Sequence, residues 1–291
     1  MARVKSMKRK NKIINTIIYV VLAILSVIWL TPIAYIVYIS FSPQDSQAAM
    51  NQFPGLGDLT FRHYINILNP NYQPYIQWFL NTLFVALITM VVNTFFIMAV
   101  AYTMSRLKFK GRKNLMLVNL ILGMFPGFMS MIAIYNILKL VGLIDNAPLF
   151  GLILCYTMTS GMGFYVAKGF FDTISKSLDE AARIDGATNA QIFFQIILPL
   201  SKPIIVYTLV QSFMGPWMDF IFCKVILREN VDSYTVALGM NSWLSDTGGK
   251  KGKHFVDFFA GSVLISIPIM AVFLSTQKYY VAGVTGGAVK G

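Results

Sequence analysis

Charge is what this chain of 291 residues has least of. Only 12% of its residues are Asp, Glu, Lys or Arg and 56% are hydrophobic, against roughly 25% charged in a soluble domain. This excludes an ordinary water-solvated domain and points to a chain solvated largely by lipid. Cysteine is scarce as well. Cys155 and Cys223 lie inside apolar stretches without metal-ligand spacing and read as packed thiols. Two histidines, His63 and His254, stand isolated in hydrophilic connections, and no chemistry is assigned to them. No Ser/His/Asp, Cys/His or paired-carboxylate set gathers to argue for an enzyme. A phosphate-cradling G-x-x-x-x-G-K-[S/T] loop is also missing; Gly248-Gly249-Lys250-Lys251-Gly252-Lys253 lacks its Ser/Thr. Any nucleotide hydrolysis therefore belongs to another chain, and no metal or cofactor is expected in this one.

What is present is length without charge. Spanning a hydrocarbon core about 30 Å thick takes roughly 20 apolar residues in a helix. Six segments meet that requirement: Ile13–Phe41, Trp78–Met104, Leu115–Leu138, Leu149–Phe170, Ile204–Leu227 and Phe258–Gln277. The expected fold class is an all-α membrane protein of six transmembrane helices. It divides into a basic tail (1–12), a first helix with its outer loop (13–77), a five-helix core (78–277) and a C-terminal tail (278–291). The first apolar run continues through Trp29, Pro32 and Tyr38 without a cleavage site, which reads as an uncleaved anchor rather than a signal peptide. The net charge of +12 follows topology and implies no nucleic-acid partner. Of the 24 basic residues, Arg62, Lys139, Lys224, Arg228, Lys250, Lys251 and Lys253 fall on one side and all the others on the side of the termini. The positive-inside rule then makes both termini cytoplasmic.

One connection is patterned rather than merely polar. Between the fourth and fifth segments, over residues 175–203, Ser177 and Glu180 have the spacing of a capping box, and Gly186 stands where a left-handed residue would stop the helix that follows. Thr188 and Gln191 repeat the capping spacing, and Leu198-Pro199 is expected to end or kink the second helix. Two short helices should meet at a glycine elbow. Ile184, Ile192, Phe193, Ile196 and Ile197 are too apolar for a free loop; the elbow must pack on its own bundle or on a partner.

The array Glu180-Ala181-Ala182, Gly186, Ile196-x-Leu198-Pro199 resembles the EAA motif of ABC importer permeases at every fixed position. The resemblance to the carbohydrate branch, the maltose/maltodextrin kind, extends along nearly the whole chain. Asn81-Thr82-Leu83, Ala101-Tyr102, Ser105-Arg106, Phe109-x-Gly111-Arg112, Gly142-Leu143 and the ending from Gln277 carry it, while Ser42, Ser175 and Met218 depart from the family pattern. It implies that the elbow is a coupling helix docking on an ATP-binding subunit through Glu180, Ala181, Ala182, Ile184, Asp185, Gly186, Ile196, Leu198 and Pro199. It also implies a second permease subunit, two ATP-binding subunits that hold ATP and Mg, an external solute-binding protein and a carbohydrate cargo. By composition the glycine-rich tail reads as disordered; the resemblance instead sends it toward the ATPase dimer, with Gln277, Gly283 and Lys290 as contact candidates.

Asp219 is the most costly residue in the apolar segments, since an acid near a helix centre disfavours insertion by about 2.5–3.5 kcal/mol. With Phe213 and Trp217 it forms a candidate substrate path, in which rings stack on a sugar and the carboxylate accepts from hydroxyls. The other reading is an interfacial acid beside a belt tryptophan, paired with Lys224. Gly123, Gly127, Pro126 and Pro268 read as kinks or close helix contacts, with gating hinges the alternative. A self-sufficient secondary transporter or channel is the competing function class. It would ordinarily show midplane ionisable groups and repeated halves, and Asp219 is its thin support.

Overall fold

The computed structural model describes residues 2–45, 54–125, 127–158, 162–245 and 252–288, and their regular structure is helical throughout. Two compact units divide the chain: Met1–Asn69 with Trp243–Leu264, and Pro70–Ser242 with Ile265–Gly291.

The first unit begins with a helix over Ala2–Ile39. Its apolar side chains are exposed all round, Tyr19 by 71% and Trp29 by 76%, which is tolerable only for a helix surrounded by lipid or by partner chains. Thr16, Ser26 and Thr31 each donate to the carbonyl four residues back, at 2.9, 2.8 and 2.7 Å. These few hydroxyls thus need no water. At its end, Ile39 packs with Val256 and Phe259 from the last helix.

The same unit corrects the reading of the two histidines. His63, on the short helix Arg62–Ile67, is fully buried, and its Nδ1 lies 2.7 Å from Asp257 Oδ1. His254 Nδ1 lies 2.8 Å from Asp257 Oδ2. One carboxylate, itself 1% exposed, thus joins both histidines of the chain. Sequence separation hid the arrangement, because His63 and Asp257 are 194 positions apart.

In the second unit a 32-residue helix, Tyr75–Arg106, is the spine. At about 1.5 Å per residue it spans about 48 Å, well beyond a hydrocarbon core of about 30 Å. Against it pack Pro148–Met158, Gly163–Thr173 and Lys202–Met218. Its first turns grip the loop around Val231–Ser233. Trp78 Nε1 donates to Val231 O, Asn81 Nδ2 to the carbonyls of Asp232 and Tyr234, and Thr82 Oγ1 accepts from the Val236 N–H. A methyl group on Gly239 would lie 2.1 Å from the Trp78 ring, so glycine is what allows that approach. One apolar core gathers Val85, Leu152, Cys155, Cys223, Ile226 and Leu227, and both thiols are buried as expected. Another gathers Ile97, Tyr102, Phe164, Phe171, Ile192 and Ile197.

Three of the expected spans are broken. The third is two helices, Arg112–Gly123 and Gly127–Leu140, with Pro126 outside the described residues. A Cβ at Gly123 would stand 2.6 Å from Met162 Sδ, so this glycine serves a close approach. The fourth is Pro148–Met158 followed by Gly163–Thr173, their axes 45° apart. The fifth stops at Met218 and resumes over Ile221–Leu227. The sixth runs from Phe255 to Ala288 through Pro268 without a break, eleven residues beyond the expected end at Gln277. The glycine-rich tail is therefore helical as far as Ala288. Among the described residues, Asn11–Ile39, Tyr75–Arg106 and Phe255–Tyr279 are each long and apolar enough to cross a membrane unaided.

Candidate coupling elbow and translocation pathway

The elbow begins with Ser177–Ile184. The capping box expected at Ser177 and Glu180 does not form. Lys176 precedes the helix in helical conformation, and the Ser177 N–H and hydroxyl both turn to Ser175 Oγ, at 3.3 and 2.8 Å. A nearer hydroxyl has taken the bond. Asp179 and Glu180 in the first turn and Arg183 in the last instead match the helix dipole.

Its end forms as the sequence predicts. Gly186 has φ +84°, the Gly186 N–H donates to Arg183 O at 3.1 Å, and the Ala187 N–H donates to Ala182 O at 2.9 Å. These two bonds are the Schellman pair that closes a helix on a left-handed residue. Nothing lies within 4 Å of a Cβ built on Gly186, so conformation rather than space selects glycine there.

The second arm is capped as predicted. Thr188 Oγ1 accepts from the Gln191 N–H, and Gln191 Oε1 accepts from the Thr188 N–H. Pro199 does not end this arm, which runs over Asn189–Leu200 before turning 85° into Lys202–Met218. The widened turn at Ile192–Ile197 comes just before the proline, where a regular turn would set its ring against a carbonyl four residues back. The bend falls two residues later, at Ser201.

Burial sorts the motif residues into two faces. Ala182 is 8% exposed, Ile192 and Ile197 are 0%, and Ile196 and Leu198 are half-buried. Glu180, Ala181, Asp185, Gly186 and Pro199 are exposed, and Ile184 at the apex is 86% exposed. Of the apolar side chains expected to need cover, Ile184 alone finds almost none within this chain.

The elbow is held from inside by the end of the spine helix. Arg106 Nε is 3.4 Å from Asp179 Oδ2, with the two side chains 1% and 7% exposed. The same guanidinium donates to the carbonyls of Phe171 and Ile174, both at 2.8 Å. Next to it, Ser105 Oγ and Lys168 Nζ each contact Asp172 at 2.6 Å.

The pathway candidates separate. Trp217 is 4% and Phe213 is 2% exposed, packed on one another at 5.9 Å, with Phe79 on the Trp217 ring at 5.2 Å. Asp219 sits where Lys202–Met218 ends, in extended conformation (ψ 119°). It accepts from Tyr156 Oη at 2.8 Å and from the Phe222 N–H at 3.1 Å. The acid thus leaves the helix and caps the next one, while Lys224 turns its Nζ over the Phe220 ring at 5.5 Å. Gln277 is exposed on the last helix and Gly283 lies in its backbone; Lys290 falls outside the described residues.

A recess that sequence reasoning missed lies between the spine helix, Gly163–Thr173 and Lys202–Met218. Asn93, Tyr207, Thr208, Gln211 and Ser212 give a space of about 270 Å³ one polar side, and Ile97, Met162, Gly163 and Val166 line the rest. Asn93 Nδ2 donates to Ser212 Oγ at 2.9 Å, and Asn93 Oδ1 is buried with no hydrogen-bond partner. The signal was available: an amide at mid-span, and Thr208, Gln211 and Ser212 at helical spacing on an otherwise apolar helix.

Residues 96–285 match the family described as binding-protein-dependent transport system inner membrane component. The chain belongs to that family. It is therefore a multi-pass membrane component of a transport system, and its resemblance to permease subunits of ABC sugar importers is borne out. Among similar proteins, the galactooligosaccharides transport system permease protein GanQ of Bacillus subtilis is 37% identical over 275 residues, 94% of each chain. The maltodextrin transport system permease protein MalD of Streptococcus pneumoniae is 32% identical over 289 residues, 98% of this chain and 99% of that one. A bacterial ABC transporter importing the acidic polysaccharide alginate has a similarly folded chain, with a TM-score of 0.75 over 94% of this chain and 98% of that one at 24% identity.

Proposed function

We propose that this chain is the membrane-spanning permease subunit of an ATP-driven importer of carbohydrate, in particular of oligosaccharides of the malto- or galacto- type. It carries no ATPase of its own. A second homologous permease subunit completes the pore, two ATP-binding subunits hold ATP and Mg, and an external solute-binding protein delivers cargo. In this reading the chain crosses the cytoplasmic membrane six times with both termini inside, its broken segments supplying the remaining crossings.

The observation that carries the reading is the elbow: a rigidly closed turn whose apolar apex, Ile184, is 86% exposed while its base is anchored on Arg106 and the inner core. Such an element transmits force. Closure of the ATP-binding subunits on Glu180, Ala181, Ile184, Asp185 and Gly186 moves the elbow, and the continuous arm through Leu198 and Pro199 passes that movement to Lys202–Met218. That helix carries Thr208, Gln211 and Ser212, whose hydroxyl and amide groups suit sugar hydroxyls. We assign the recess with Asn93 as the sugar-facing part of the path, and Phe213 and Trp217 as the packed wall behind it. Asp219 is a hinge cap in this scheme, and the C-terminal helix with Gln277, Gly283 and Lys290 approaches the ATP-binding subunits.

Replacing Gly186 by valine in the assembled transporter tests the proposal. A Cβ at Gly186 meets nothing within 4 Å in this chain, and left-handed strain costs about 1–2 kcal/mol. We expect normal insertion, retained ATP hydrolysis and uptake reduced at least tenfold. Normal sugar uptake in that variant, or uptake by this chain alone driven by a proton or sodium gradient, would overturn it.

A further inference from the structure

Two hollows in the second unit, one basic and one apolar, are lined by successive stretches of the same two helices, and apart from Arg106, Asp179 and Glu180 their lining has no role in the transport scheme above. The basic one, about 530 Å³, opens where the spine helix ends and Arg112–Gly123 begins. Lys108, Arg112, Lys113, Lys176 and Arg183 line it together with Arg106, against Asp179 and Glu180 as its acids. Arg106 is 7% exposed, and its second terminal nitrogen, Nη1, is buried without a hydrogen-bond partner. A buried guanidinium with an unused donor in a basic cavity fits an oxyanion, since unsatisfied buried donors are costly and guanidinium is suited to phosphate.

The apolar hollow, about 500 Å³, lies directly along the same two helices. Met104, Val100, Ile97 and Phe96 continue the spine back from Arg106, and Leu115 continues the facing helix from Asn114. The ten residues from Arg106 to Phe96 cover about 15 Å, half of a hydrocarbon core of about 30 Å. The groove thus has the depth of one leaflet. Phe96 and Leu115 are 51% and 52% exposed, so the chain leaves it open.

We infer that these two hollows form one binding site for an anionic phospholipid of the cytoplasmic leaflet. Its phosphate sits among Arg106, Lys108, Arg112 and Lys113, and an acyl chain lies along Phe96, Val100, Met104 and Leu115. Charge selects the phosphate and the leaflet-deep groove selects a chain-bearing one, as basic pockets at cytoplasmic helix ends do for acidic lipids. Because Arg106 also holds Asp179, at 3.4 Å, headgroup occupancy bears on the helix that starts the coupling elbow. The inference rests on the cytoplasmic placement of the elbow proposed above.

The test is native mass spectrometry of the assembled transporter purified in mild detergent, with phosphatidylglycerol and phosphatidylcholine added at equal concentration. Retention of phosphatidylglycerol should exceed that of phosphatidylcholine by about tenfold. Lys108→Gln/Lys113→Gln/Lys176→Gln should abolish the preference, and Val100→Trp, which fills the groove, should lower retention of both lipids. Excess inorganic phosphate should leave retention unchanged. Equal retention of the two lipids overturns the site. So does competition by phosphate with no effect of Val100→Trp, which would mark a soluble anion. Loss of the lipid whenever the ATP-binding subunits are present would also overturn it, by giving the cavity to a protein segment. ATP-driven uptake, measured after the same assemblies are reconstituted into sealed vesicles, separates the two ideas: uptake without lipid preference sinks only the lipid site, and absent uptake in the unmodified assembly sinks the transport reading.

Discussion

Arg106 and Asp179 give a sharp quantitative test of how the elbow is held. Their side chains are 1% and 7% exposed and 3.4 Å apart, so removing either one strands the other charge in the interior, at about 3–5 kcal/mol. Arg106→Met also strips the donor from the carbonyls of Phe171 and Ile174. Asp179→Leu leaves those bonds intact and should lie at the low end, about 3 kcal/mol. The double variant removes both charges and retains only the cost of unpaired carbonyls, about 1–3 kcal/mol. A non-additivity of about 5 kcal/mol is therefore expected, far above the 0.3–0.5 kcal/mol within which independent sites add. Hydrogen exchange in the assembled transporter reads this locally. At about 1.4 kcal/mol per decade, amides of residues 177–186 should exchange over a hundredfold faster in each single variant and within about tenfold to a hundredfold in the double. Additive effects, or unchanged protection in Arg106→Met, would refute the idea that this pair anchors the elbow.

Other expectations follow from particular contacts. Gly239→Ala places a methyl against the Trp78 ring, where the gap is 2.1 Å, and overpacking of this kind costs about 1–3 kcal/mol; thermal unfolding should show the loss, and Trp78→Leu should partly rescue it. Asn93→Leu removes the amide from the polar recess, and with one sugar hydrogen bond worth about 0.5–1.5 kcal/mol, the KM for uptake should rise several-fold to about tenfold with kcat little changed. An unmoved KM would take Asn93 out of the path. Asp257→Leu leaves His63 and His254 without their shared acceptor, and a melting experiment should register about 1–3 kcal/mol.

Much of the elbow was legible in the sequence because its determinants are local. Gly186 needs a positive φ, and Thr188 with Gln191 needs only three-residue spacing, so both formed as read. Ser177 with Glu180 has the same spacing and did not, because Ser175 offered a hydroxyl two residues away. Hydropathy located the apolar segments but not their breaks. Asp219 was expected within a helix because periodicity does not register an acid that leaves the helix to cap the next one. The family-matching residues gained physical meanings that spacing alone did not supply: Asn81 and Thr82 fasten the loop at 231–236, Arg106 fastens the elbow and Ser105 the helix before it, and Gly111 and Gly142 have φ of +89° and +74°. What stayed illegible was long-range, above all the pairing of Asn93 with Ser212 and the sharing of Asp257.

That shared carboxylate constrains the order of events during synthesis. The unit it stabilises takes its first part from the start of the chain and its second from Trp243–Leu264, so His63 emerges nearly two hundred residues before its acceptor. Until the last helix begins, the early segment offers the imidazole only the half-exposed Asp45, 3.9 Å from its Nε2, and the Asp257 contact, of such high sequence separation, must wait for the ends to meet. Closing this unit is thus a late step in assembly. A nascent chain truncated before Asp257 should present His63 to solvent and to chemical modification, and completion of the last helix should protect it.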